Sequence, residues 1–190
     1  MADVTTRIAC DGYGQLELNQ VAFRRDGRIE AQSKLKAYVA STAEDGFDKA
    51  HPAENGMLLV LNATKREVSK PAAATDKVLL NYTTEHMYDE RTPGLKNFCL
   101  VPGTFLPRLG YLATGDKYTT NTVSYPLGDT YATEDKFWEA VDAVATTPLY
   151  AAPCTDGSHY VTTSATNAVA KVVKGTTMPD GQKAIQFIAL

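Results

Sequence analysis

The strongest constraint on the fold of this chain is its end, Ala168–Leu190, reading AVAKVVKGTTMPDGQKAIQFIAL. Two apolar runs, Ala168–Val173 and Ala184–Leu190, flank Met178-Pro179-Asp180-Gly181. Pro179 pre-sets φ for a turn, and Gly181 accepts the positive φ that such turns often require. In the second run Ile185, Phe187 and Ala189 alternate with Gln186, the period of a half-buried strand, and Ile and Phe favour a pleated surface. The spacing predicts a C-terminal β-hairpin whose last strand is fixed in a sheet.

A chain of 190 residues forms one domain, or one domain with an extended arm. At this size folding buries roughly 70% of the surface the unfolded chain exposes, so neither disulfide nor metal is needed. With 44% hydrophobic and 22% charged residues the composition is that of a globular protein. No apolar run approaches the ~20 residues of a membrane-spanning helix, so no membrane partner is expected. The start, MADVTTRIACDGYG, lacks the basic and apolar regions of a signal peptide, which predicts synthesis in a cytoplasm. Cys10, Cys99 and Cys154 are widely spaced and form no CxxC pair, giving three ordinary reduced thiols, or one disulfide and a spare thiol. A net charge of −3 and a pI near 5.6 argue against a nucleic-acid surface covering the whole domain.

Residues 1–55 differ in texture from the rest and read as an N-terminal arm or extension, with residues 56–190 as a β-rich body. Gly14–Asn19 alternates as a short strand would. In Phe23–Glu30 the Asp26-Gly27 turn signal sits among Arg24, Arg25 and Arg28, three guanidinium groups within five residues. A solvated turn with charged flanks is one reading of this cluster. An arm engaging carboxylates of a partner protein is another, because arginine forms bidentate pairs that lysine cannot. Phosphate binding is a third. Residues 41–56 (STAEDGFDKAHPAENG) read as a loop at the boundary between arm and body.

Strands are predicted at Met57–Leu61, Lys77–Thr84, Gly115–Val123 (GDKYTTNTV) and Ser158–Thr163, with short apolar pieces such as Phe98–Val101 between the Pro and Gly residues of 92–116. Pro71-Ala72-Ala73-Ala74 is too short for a stable helix. The helical candidate is Thr133–Ala145: Thr133 is a suitable N-cap, Glu134 and Asp135 complement the helix dipole, and Phe137, Val141 and Val144 recur at helical spacing. Trp138 beside that stripe reads as core or interface. The fold class expected is mainly β, a β-sandwich or small β-barrel, with one short α-helix and an extended N-terminal arm.

Residues with chemical potential are scattered. His51 reads as a loop residue and His159 as a satisfied strand residue. His86 in Glu85–Glu90 is the most metal-like cluster, but it lacks the spacing of an EF-hand. Cys154, Asp156 and His159 are the nearest approach to a nucleophilic triad, without a G-x-S-x-G elbow. Phosphate-binding and dinucleotide-binding glycine motifs are missing, Gly12-Tyr13-Gly14 being only a fragment. Paired acids such as Glu44-Asp45 and Asp89-Glu90 lie in loop-like context and do not indicate glycosidase chemistry. The expectation is a non-enzymatic protein with no cofactor and no metal.

Three stretches, Gly115–Val123 (GDKYTTNTV), Lys136-Phe137-Trp138, and Val172–Leu190 with its Thr177-Met178-Pro179-Asp180-Gly181-Gln182 turn, resemble the capsid decoration (cement, or head auxiliary) proteins of tailed bacteriophages. The resemblance covers the last third to half of the chain. It implies a structural protein at the capsid surface of a virion, made in the bacterial host cytoplasm, whose partners are the major capsid protein and neighbouring copies of itself. The alternative is another virion component, a tail-tube subunit or a displayed glycan-binding module. An enzyme with a dispersed site is the third class, and it would need the histidines or several acids to converge. From residue type and position, Arg7, Arg24, Arg25 and Arg28 are the candidate anchors for a partner, with Tyr13 and Phe23 as apolar contacts.

Overall fold

The computed structural model describes residues 4–83, 95–128 and 130–190. The regular structure is mainly β, with 35% of residues in strands that form two mixed sheets. The strands are β1 (Val4–Arg7), β2 (Ile29–Glu30), β3 (Lys34–Leu35), β4 (Leu58–Asn62), β5 (Glu67–Ser69), β6 (Val78–Asn81), β7 (Leu109–Gly110), β8 (Lys117–Thr120), β9 (Val123–Leu127), β10 (Tyr150–Pro153), β11 (His159–Thr162), β12 (Ala170–Thr177) and β13 (Lys183–Ala189). Two α-helices accompany them, α1 (Ala22–Asp26) and α2 (Glu134–Asp142). The larger sheet runs β1-β9-β11-β10-β12-β13-β8, and the smaller runs β2-β7-β6-β4-β5-β3.

The terminal hairpin forms as its pattern dictates. β12 and β13 pair antiparallel from Ala170↔Ala189 to Thr177↔Lys183, with a bulge between Val172 and Lys174. The turn is closed by Met178 N–H donating to Gln182 O at 2.8 Å, with Gly181 at φ +88°. Ile185, Phe187 and Ala189 are buried and Gln186 is not.

The stretch GDKYTTNTV forms two strands and not one. β8 pairs with β13 at one side of the sheet, whereas β9 pairs with β1 and, in parallel, with β11 near the other. Only Asn121 and Thr122 connect them, and three residue steps reach at most ~11 Å. The sheet therefore curls until its two sides meet, as in a partly closed barrel. Side chains make the break: Asn121 Oδ1 accepts the Gln15 N–H at 2.6 Å, and Thr120 Oγ1 accepts the Thr122 N–H at 3.0 Å. The same bonds explain why Gly14–Asn19 is not a strand. With Gln15 O taken by the Thr120 hydroxyl at 2.6 Å, only Leu16 bridges to Thr120, and Leu18–Gln20 winds into a 3-10 turn.

The smaller sheet is buried on both sides. Leu58 and Leu80 face a core shared with Tyr118, Val161 and Phe187 of the larger sheet. Their chain neighbours Leu59 and Leu79 face a second core with Val68, Leu100 and Leu109. Burial on both faces is why Met57–Leu61 is continuously apolar instead of alternating. Helix α2 starts one residue after its cap: Thr133 Oγ1 accepts the Lys136 N–H at 3.3 Å. Phe137, Trp138 and Val141 enter the shared core, and Phe137 stacks on Tyr125 with centroids 4.7 Å apart.

Residues 4–55 are irregular but laced into both sheets. They supply β1 to the larger sheet, β2 and β3 to the smaller, and Ile8, Leu16, Val21 and Phe23 to the shared core.

Candidate functional site

The six residues expected to meet a partner divide into two groups. Arg7 is an internal clamp: its Nη1 and Nη2 donate to the two carboxylate oxygens of Glu54, each at 2.9 Å. Arg28 is another. It donates to Asp116 at 2.9 and 3.1 Å and to Asp26 Oδ2 at 3.2 Å, and it also bonds the Tyr111 carbonyl, tying the end of α1 to the approach to β8. Tyr13 is half-buried, and its N–H donates to Lys96 O at 2.6 Å.

Phe23 is fully buried, so its ring serves the core and not a partner. It lies 5.0 Å from the Tyr82 ring, centroid to centroid, and directly against Gly110, where an added Cβ would fall 2.3 Å from the Phe23 ring. Helix α1 is one turn of five residues, too short to hold itself, and it ends on Gly27 in the left-handed region at φ 70°. Packing of Phe23 is therefore what fixes the helix. With Phe23 turned inward, Arg24 and Arg25 are left on the outer side.

Arg24 and Arg25 line a concavity of about 460 Å³ together with Arg108, Leu18, Val21, Ile29 and Tyr82. Arg108 precedes β7, and Ile29 begins β2, the outermost strand of the smaller sheet. Among the described residues lining the concavity, three carry guanidinium groups and none an acid. Val21 and Tyr82 are buried, Leu18, Arg24 and Arg108 half-buried, and Ile29 and Arg25 exposed. Arg25 pairs at the surface with Asp26, at 2.9 Å. Apolar surface continues around this edge with the exposed Tyr111, next after β7, and with Phe105 and Leu106 on the segment leading into it. Sequence reasoning missed Arg108, an isolated cation between Pro107 and Leu109 whose meeting with Arg24 and Arg25 depends on strand pairing 80 residues away in the chain. The only signal available was Phe23 itself, an aromatic placed to anchor the arginines behind it.

The groups with chemical potential lie elsewhere and are occupied. His159 is fully buried; its Nδ1–H donates to Thr122 O at 3.1 Å, and its Nε2 accepts the Tyr118 hydroxyl at 3.0 Å. Burial pulls its pKa down to about 4, so the ring is neutral, and the ring stacks on Phe187 at 4.9 Å. Both ring nitrogens being used, His159 activates neither Cys154 nor Ser158. Asp156 instead accepts from Ser158, through N–H at 2.8 Å and through Oγ at 2.5 Å, and Ser158 bonds the buried Ser124 hydroxyl. Burial also pushes the Cys154 thiol up, away from thiolate chemistry. All three cysteines considered are free. His51 stacks on Tyr38 and bonds Asp48 at 3.0 Å in its loop. The Glu85–Glu90 cluster lies outside the described residues, and among the described residues no group of three or more His, Cys, Asp or Glu is placed to hold a metal ion. No described helix is long and apolar enough to cross a membrane.

Comparison with protein-family models, curated proteins and solved structures finds no match to this chain.

Proposed function

We propose that this chain is a non-enzymatic structural protein of a bacteriophage virion, one that binds the outside of the capsid and stabilises the shell by bridging major-capsid subunits. The observation that carries the reading is the edge formed by α1, β2 and β7: a concavity rimmed by Arg24, Arg25 and Arg108, with Ile29 exposed beside it. Such a mixture of guanidinium and apolar surface suits a protein partner, since arginine is enriched where interfaces are desolvated. Elsewhere, internal pairs such as Arg7 with Glu54 and Ser124 with Ser158 suit a stiff platform.

Contacts of this size are individually weak. A shell offers several sites at once, so each later contact is effectively intramolecular and avidity rises without new chemistry. A protein that binds only the assembled lattice also stabilises that lattice by mass action. Neighbouring copies of the chain are the second expected partner.

The test is co-sedimentation of the purified protein with expanded shells of its phage, alongside the melting temperature of those shells. Binding with a rise in melting temperature is expected. Failure to bind expanded shells, or binding without any rise, overturns the reading; spontaneous growth of the protein alone into tubes replaces it with a tail-tube role.

A further inference from the structure

The segment Glu54–Gly56 lies where the two sheets join, and its backbone is bonded to both. Glu54 O accepts the Asn81 side-chain amide at 2.8 Å, and Gly56 N–H donates to Asn81 O at 2.9 Å, so β6 of the smaller sheet holds it on one side. On the other, Thr122, between β8 and β9 of the larger sheet, donates its hydroxyl to Asn55 O at 2.5 Å. The Asn55 side chain, only 2% exposed, is treated differently. Among the described residues four buried side-chain atoms lack a hydrogen-bond partner: Asn55 Oδ1 and Nδ2, Asn121 Nδ2 and Arg7 Nε. All four belong to this joint. Asn121 is fully buried and precedes Thr122, and Arg7 grips Glu54 through Nη1 and Nη2, each at 2.9 Å. Going beyond the capsid reading and independently of it, we propose that the Asn55 amide binds ordered internal water, which forms part of the joint between the sheets.

Burying an amide with neither end bonded is costly, and folded proteins meet such groups with internal water that makes two to four hydrogen bonds. The kinds of atom at the joint decide the class of ligand. Three are nitrogen donors and one is a carbonyl oxygen. A metal cation would meet N–H groups and a single neutral oxygen. An anion such as chloride would suit the donors but leave Asn55 Oδ1 bare, and the charge of Arg7 is already matched by Glu54. Water accepts from N–H and donates to a carbonyl oxygen at once, so it serves both ends of the amide. Turning the Asn55 amide over exchanges its donor and acceptor and leaves this account unchanged. The neighbours are equally polar: Gln15, Asn81, Thr120 and Thr122 are all buried.

The experiment records NOE and ROE cross-peaks between water and the side-chain N–H protons of the intact, ¹⁵N-labelled protein. At Asn55 Nδ2 the two effects are expected with opposite signs, the signature of water that tumbles with the protein. Equal signs, which mark proton exchange or passing surface water, overturn the proposal, as does the lack of any cross-peak. Saturable shifts of the Asn55 amide and of Arg7 Nε–H on titration with sodium chloride overturn it in favour of an anion. Asn55→Leu, close in volume, checks the same point by stability. With water on the amide, leucine forfeits those hydrogen bonds, and the urea midpoint falls; with a bare amide, leucine relieves its cost. A midpoint unchanged or raised therefore also overturns the proposal. Should Asn55→Leu not fold, the cross-peaks of the unaltered protein decide alone.

Discussion

Arg7 and Glu54, 47 residues apart in the chain, close a two-point ion pair with both N–H···O distances at 2.9 Å. Gly14 adds its N–H to the same carboxylate at 2.6 Å. Three segments of the irregular N-terminal part, residues near 7, 14 and 54, are thus pinned to one point. Next to it Asn81 donates to the Glu54 carbonyl at 2.8 Å, and Thr122 donates to the Asn55 carbonyl at 2.5 Å. The pair therefore sits where the two sheets are joined.

Replacing only one partner strands the other. Glu54 is 8% exposed, so Arg7→Met leaves a carboxylate with little water to solvate it, and a loss of about 3 kcal/mol in unfolding free energy is expected. The double variant Arg7→Met, Glu54→Gln removes the charge but keeps an acceptor for Gly14, and is expected to recover part of that loss. Urea denaturation of the three proteins measures both numbers. A double variant no more stable than Arg7→Met would mean the pair is not the source of the cost.

The wedge between Phe23 and Gly110 gives a second expectation. An added Cβ at residue 110 falls 2.3 Å from the Phe23 ring, so Gly110→Ala forces a shift in a packed core and costs about 1–3 kcal/mol. Phe23→Leu alone costs a similar amount through lost packing. Combined, the smaller ring-less side chain makes room for the methyl group, and the two losses add to less than their sum. Thermal or chemical denaturation of the four proteins checks the cycle; strict additivity would show that the two positions are not in contact.

His159 makes stability depend on pH. Its pKa in the folded protein is about 4 against an ordinary 6.5, so between these values the unfolded chain binds the extra proton and the folded chain does not. Stability then rises with pH across this window, is lost as pH falls from about 6.5 towards 4, and levels off below, amounting to about 3 kcal/mol in all. Denaturation midpoints between pH 4 and 7 should show this slope, and His159→Gln should flatten it. An imidazole titrating near 6.5 by NMR would contradict the buried, doubly bonded ring.

Elements whose pattern is local were legible in the sequence: the terminal hairpin, α2 with its Thr133 cap, and the strand runs at 57–61 and 158–163 each carry their own periodicity and end signals. The run expected over 77–84 is a strand only over Val78–Asn81, and its last residue, Thr84, lies outside the described residues. What escaped is decided by distant partners. Asn121 breaks a strand because Gln15 is beside it, and Arg7 turns inward because Glu54 is waiting. Nothing within five residues of either signals that. The arginine cluster was legible as a cluster, but which of its members face outward depends on Asp116, which claims Arg28, and on Gly110, which claims Phe23.

Gln182, at the tip of the terminal hairpin, is held by the far end of the chain. Its Oε1 accepts the Asp11 N–H at 2.7 Å, and its Nε2 donates to Asp11 O at 3.2 Å and to Asp180 Oδ2 at 2.7 Å. Asp180 Oδ2 also accepts from Gln15 Nε2 at 2.8 Å. The turn of the hairpin is intact without these bonds, being closed by Met178 and Gln182 backbone groups. Gln182→Ala should therefore leave the β12–β13 ladder in place and free Asp11, with Gly14 and Gln15 still held by Glu54 and Asn121, at a cost of about 1 kcal/mol. Amide hydrogen exchange distinguishes the two: faster exchange at Asp11, with unchanged protection at Gln15 and Phe187, is the expected result. Loss of protection at Phe187 would instead mean that the clasp, and not the ladder, holds the hairpin.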